Sequence, residues 1–173
     1  LEFRRVLFRS GTKFGPHTRF HQSMFRGPVD CTGALFDGMA EWLEVTFEQP
    51  AVFERVRFGS GTGFSGSRFM QQAGFSDAIF SRDTFFTFSV FEETAVFAGS
   101  QFLGPVDFSN ADFKKRDDLD RVRFDQPPLL TRTHRVIQEQ PADDLATFLS
   151  RYGLTAVLLL VSAGLVGYIL KSK

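Results

Sequence analysis

Residues 64–80 read FSGSRFMQQAGFSDAIF, with Phe at 64, 69, 75 and 80. The steps between them are five, six and five. Carried outward, the alternation runs down through Phe58, Phe53, Phe47, Trp42, Phe36, Cys31, Phe25 and Phe20 to Phe14. It runs up through Phe86, Phe91, Phe97, Phe102, Phe108, Phe113 and Leu119 to Phe124. Phe85, Phe88 and Phe148 fall outside this series, while Phe3 and Phe8 fit its register. A second series lies two residues before the first. It includes Ala51, Val56, Thr62, Ser67, Ala73, Ala78, Thr84, Ser89 and Ala95, all small or β-branched, and it breaks at Asp117.

Residues two apart in an extended chain point to the same side. Each unit therefore reads as a short strand-like edge with one small and one large side chain facing inward. So short an edge cannot bury a face alone, and the next coil must cover it. Four steps span 22 residues and return to the same corner of a four-sided coil. The core is then four columns of stacked side chains. One holds Phe14, Phe36, Phe58, Phe80, Phe102 and Phe124. The next holds Phe20, Trp42, Phe64, Phe86 and Phe108. The third holds Phe25, Phe47, Phe69, Phe91 and Phe113, and the last Cys31, Phe53, Phe75, Phe97 and Leu119. Large rings beside small neighbours give dense packing. Each buried Phe contributes roughly 1.5–3 kcal/mol, and five coils at about 4.8 Å each make a rod about 24 Å tall.

Rival folds fail on spacing. Residues five apart sit about 140° apart around an α-helix, so the Phe series would not line one face. There are no heptads for a coiled coil, and a left-handed hexapeptide helix requires a steady six.

The pattern resembles the pentapeptide-repeat family, whose unit is a small residue, any residue, Leu or Phe, and two more. Clear units are Ala73–Phe75, Ala78–Phe80, Ala95–Phe97 and Ala111–Phe113. The resemblance covers about two thirds of the chain and implies a right-handed quadrilateral β-helix, an all-β solenoid, over residues 11–125. The family repeat is five throughout; here every second unit has six, as in the Phe-rich branch of the family, which leaves the corner geometry open.

Outward positions carry Gly, Ser, Thr, Gln and charges of both signs. Gly59, Gly61, Gly63, Gly66 and Gly99 are expected at tight corners that need unusual backbone angles. Ile79, Phe85, Val90 and Val96 each precede a core Phe and should point outward, with Phe88 nearby. They are a candidate partner surface. They lie on different sides of one coil, however, so they form a belt rather than a patch, and scattered apolar surface residues are ordinary. The run Lys114–Asp118 marks decay of the repeat and a charged capping coil.

Chemistry is sparse in this sequence. His17 and His21 are four apart in extended chain, where that spacing makes no helical ligand pair, and both read as exposed corners. Cys31 reads as a small buried hydrophobe, without an evident base to activate it. Gly59–Gly63 lacks the Lys and the context of a phosphate loop. The expectation is no enzyme, no cofactor, no metal and no nucleic-acid binding, in keeping with 20 acidic and 20 basic residues of 173. Some members of the family mimic duplex DNA and inhibit topoisomerases. That alternative needs an acidic rod, and Arg19, Arg26, Arg55, Arg57, Arg68, Arg82 and Arg123 interrupt the acids here.

The flanks read differently. Residues 1–10, LEFRRVLFRS, are set aside as an artefact or fragment end: they lack an initiator Met and are similar to a translated sequencing-adapter read. Residues 126–151 read as a linker with a helix start at Ala142–Asp144, where acids suit the dipole. Gly153–Leu170 holds 18 residues without a charge, near the lower limit for a membrane-spanning helix. We expect a transmembrane helix over 152–170, anchored by Leu154, Leu158, Leu160, Leu165, Tyr168 and Leu170, then a basic tail at 171–173. Ala163 and Gly167 have the spacing of a helix-pairing motif and suggest a homodimer. The expected molecule is a single-pass membrane protein with a cytoplasmic solenoid, serving as a structural or protein-interaction scaffold for an unknown protein partner.

Overall fold

The computed structural model describes residues 2–3, 6–8 and 11–136. The described chain winds about five times through four parallel sheets. Sheet I stacks Glu2–Phe3, Met24–Phe25, Thr46–Phe47, Arg68–Phe69, Val90–Phe91 and Asp112–Phe113. Sheet II stacks Val6–Leu7, Val29–Asp30, Ala51–Val52, Ala73–Gly74 and Ala95–Val96. Sheet III stacks Lys13–Phe14, Leu35–Phe36, Arg57–Phe58, Ile79–Phe80, Gln101–Phe102 and Arg123–Phe124. Sheet IV stacks His17–Arg19, Met39–Glu41, Thr62–Gly63, Thr84–Phe85 and Val106–Asp107. Partners such as Phe58 and Phe80, or Thr62 and Thr84, lie 22 residues apart. One step differs: Val6 pairs with Val29, 23 residues on. The chain takes five residues from Phe3 to Phe8, where the next coil takes six from Phe25 to Cys31.

The columns expected from the repeat are the core. From Phe25 to Phe108 every column residue is fully buried. Rings within a column lie nearly parallel, as in Phe69 on Phe91 at 4.8 Å and 2°, or Phe80 on Phe102 at 4.4 Å and 1°. Between columns they meet edge to face. Phe64 touches Phe53 at 5.3 Å and 76° and Phe75 at 5.4 Å and 80°, so the columns of sheets II and IV zip together along the axis. Both arrangements set positive ring edges against negative faces, worth about 0.5–1.5 kcal/mol per pair beyond burial.

Five and six correspond to two kinds of corner. After each column residue of sheets II and IV comes a tight turn, in which the carbonyl of Phe53, Phe64, Phe75, Phe86, Phe97 or Phe108 accepts from the amide three residues on. The second residue after each has positive φ: Arg55, Gly66, Asp77, Phe88, Gly99 and Asn110. A positive φ at this position is the mark of a type II turn. The sixth residue sits at the other corners, after sheets I and III. Gly66 and Gly99 therefore fill the role expected of them. Gly59, Gly61 and Gly63 do not have the left-handed backbone expected of them. They lie on a six-residue side, and what they provide is room: a Cβ on Gly63 would press on Leu43 Cδ2 at 2.9 Å.

The coil also continues past Asp125, where the sequence suggested a linker. Phe108 N donates to Leu129 O at 2.8 Å and Phe113 N to His134 O at 2.9 Å. Leu130, Thr133 and Arg135 stand 22 residues beyond Phe108, Ala111 and Phe113. Arg135 thus occupies a large inward position and Asp117 a small one, and the guanidinium closes on the carboxylate, with Nε 2.9 Å from Oδ2. Polar residues at two core positions hid the continuation from a hydrophobic reading. Beside them Asp118 accepts from the amides of Phe97 and Ala98, replacing the strand carbonyl that sheet II lacks there.

Among the described residues no helix is long and apolar enough to cross a membrane. The transmembrane segment expected over 152–170, with the helix start at 142–144, lies outside the described residues.

Candidate partner surface

Backbone strands alternate their side chains, so every outward residue of a coil joins a column of outward residues 22 apart. The five outward apolar residues singled out above separate accordingly. Ile79 falls on sheet III, Phe85 on sheet IV, Val90 on sheet I and Val96 on sheet II. Ile79, Val90 and Val96 are half-buried between their coil neighbours, while Phe85 is 44 % and Phe88 65 % exposed. The belt resolves into one local feature around Phe85.

That feature is a trough on sheet IV, about 370 Å³ in volume, lined by Met39, Glu41, Leu43, Gly61, Thr62, Gly63, Ser65 and Phe85. Its cause is local. Gly61 and Gly63 present no side chain outward, so one coil of the face is missing between Met39 and Leu43 on one side and Phe85 on the other. Adjoining it beyond Phe85, a second hollow of about 300 Å³ is bordered by Asp83, Pro105, Asp107, Pro127 and Leu129. Phe85 is the ridge between the two. Met39, Leu43, Gly61 and Gly63 were not among the candidates from sequence. The signal was present in the 22-residue columns, Met39 above Gly61 and Gly63 above Phe85, and shows only when outward positions are read across coils.

The middle coils of this face are acidic, while its end coils carry Arg19 and Arg132. From Met39 to Glu44, Gly61 to Gly66, Asp83 to Phe88 and Pro105 to Asn110 it holds Glu41, Glu44, Asp83 and Asp107, with no Lys or Arg. Glu41 is engaged by Arg19 at 2.6 Å and His21 at 3.5 Å from the first coil. Sheets I and III carry Arg68 and Arg57 in mid-face.

The remaining titratable residues have structural settings. His17 is exposed on the first strand of sheet IV. His134, in the continued coil, lies 2.9 Å from Asp112. Lys114 first and then His134 hold the Asp112 carboxyl below its usual range. Cys31 is fully buried, and burial pushes its thiol far up, with Asp30 adding to the effect. Among the described residues no three His, Cys, Asp or Glu side chains are grouped to hold a metal.

A tube of parallel coils with short strands for walls and ring columns for a core is a β-solenoid. A family model described as Pentapeptide repeats (9 copies) matches residues 43–90 and 75–123. Residues 43–123 are pentapeptide repeats, and the aromatic ladder that fills the tube is in keeping with a Phe-rich variant. Neither the curated proteins nor the solved structures offer a match to the chain.

Proposed function

We propose that the chain is a non-enzymatic interaction scaffold that offers sheet IV to a protein partner and is held at a membrane by its apolar C-terminal stretch. The observation that carries the reading is the trough at Gly61 and Gly63 with Phe85 on its rim. An exposed aromatic beside a concave apolar surface is the usual anchor of a protein contact. The rest of the reading comes from sequence. Eighteen uncharged residues between Arg151 and Lys171 support a single-pass anchor over 152–170, and the basic tail supports a cytoplasmic solenoid. Parallel crossovers wind right-handed almost without exception, which supports that hand for the coil. DNA mimicry is the weaker reading, because exposed Arg55, Arg57, Arg68 and Arg82 break up the acids.

Two measurements test this. A photo-crosslinking residue at position 85 should give a discrete adduct in cells, while one at position 79 should not; equal labelling at both would refute the surface. Alkaline carbonate should leave residues 11–173 in the membrane pellet and release a chain ending at Ser150. Release of both would refute the anchor.

A further inference from the structure

The trough on sheet IV has a chemistry of its own, and this inference rests on the scaffold reading above. Its floor is bare backbone at Gly61 and Gly63, its walls are Met39, Leu43 and Phe85, and the acids on the same face are Glu41, Glu44, Asp83 and Asp107. Arg19 and His21 occupy Glu41, and Gln22 donates to Glu44 at 2.9 Å. Asp107, half-buried, accepts from the amide of Ser109. The nearest cation beyond this set in the sequence is Arg82, at the corner before Asp83.

Phe88 adds an independent observation. It is 65 % exposed and its φ is +57°. The same turn position in the other coils holds Gln22, Glu44, Gly66, Asn110 and Arg132, all with positive φ, so the backbone belongs to the turn and what sets Phe88 apart is its exposed ring. Phe88 stands three residues after Phe85, across the buried Phe86, so the two exposed rings flank one edge of sheet IV.

We infer that this face binds a short cationic-apolar segment of another protein, with one or two aliphatic or aromatic side chains in the trough and flanking lysine or arginine residues against Asp83, Asp107 and Glu44. The missing coil leaves a gap of about two strand spacings, roughly 9.6 Å, between the side chains above and below. Leu43 Cδ2 leans into it over Gly63, and the space left over Gly61 admits one or two side chains of a partner. The acids of the middle coils, Glu44, Asp83 and Asp107, disfavour acidic segments there and speed encounter with basic ones.

The test uses the full chain in phosphatidylcholine nanodiscs, with empty discs as blank. The probe is a fluorescein-labelled peptide of two lysines, leucine, serine, phenylalanine and two lysines, followed by anisotropy. Binding should saturate. It should weaken about tenfold in Phe85→Ser and in Gly63→Arg, and lose most of its salt dependence in the double variant Asp83→Asn, Asp107→Asn. Val90→Ala on sheet I should bind as wild type. Circular dichroism of each variant keeps a folding defect from passing as a binding one. Equal binding of the same peptide with glutamate for lysine, indifference to the three sheet IV changes, or no binding at millimolar peptide would overturn the inference. So would concentration-dependent self-association abolished by Phe85→Ser, which would make the occupant a second copy of the chain. If the peptide fails while position 85 still crosslinks in cells, the partner chemistry is wrong and the scaffold reading stands.

Discussion

The pair Asp117–Arg135 closes one end of the core, and breaking it should cost more than its surface position suggests. The Asp117 side chain is 2 % exposed and that of Arg135 26 %. The carboxylate accepts from Arg135 Nε and Nη2 and from Leu119 N at 3.1 Å. Arg135→Leu leaves a buried charge with one amide donor. For a fully buried pair the loss is about 3–5 kcal/mol; because Arg135 is partly solvated and sits at an end, we expect about 2–3 kcal/mol. The double variant Asp117→Ala, Arg135→Leu restores the repeat's own rule, a small residue in the column of Ala95 and a large apolar one in the column of Phe113. It should recover to within about 1 kcal/mol of wild type or exceed it, since a well-packed apolar pair often outdoes a buried ion pair. Urea unfolding of the full chain in mild detergent, followed by far-UV circular dichroism, gives the cycle. Trp42 fluorescence, reporting from the other half of the tube, should shift less, because solenoid coils couple mainly to their neighbours. If Arg135→Leu costs under about 0.5 kcal/mol, or the double variant is as weak as the single, the pair does not close the core and the argument fails.

Other outcomes follow from the same geometry. Phe75→Ala empties a site ringed by Phe53, Phe64, Phe86 and Phe97 and should cost about 3–5 kcal/mol in the same assay, against about 1–2 for the half-buried Phe14. Cys31 should resist a disulfide reagent until the chain unfolds, because its thiol is buried and held neutral. The raised value makes the folded state favourable below the unfolded thiol's pKa, near 8.5, and that advantage should fall by about 1.4 kcal/mol per pH unit above it; Cys31→Ala should remove this alkaline slope from the urea midpoints. Gly38→Ala should destabilise the first coil strongly, since a Cβ there would run into the backbone of Pro16, and limited proteolysis should then cut ahead of residue 38.

The period of the Phe series by itself determined the solenoid, its four sides, the 22-residue register and the identity of nearly every core residue. Columns of Phe are legible because an extended chain sends alternate residues to one side, so inward positions keep a fixed spacing whatever the outward residues are. Only the tertiary structure decided the rest. It divided five and six into two kinds of corner, with Phe88 and Arg55 forced into a left-handed backbone that nothing in those residue types announces. It carried the coil past Asp125, where Arg135 and Asp117 hold inward positions by pairing with each other rather than by being apolar. It also brought Met39, Leu43, Gly61, Gly63 and Phe85 to one trough. Those residues are scattered along the chain, and they meet because each turn of the coil lays one row of outward side chains beside the next.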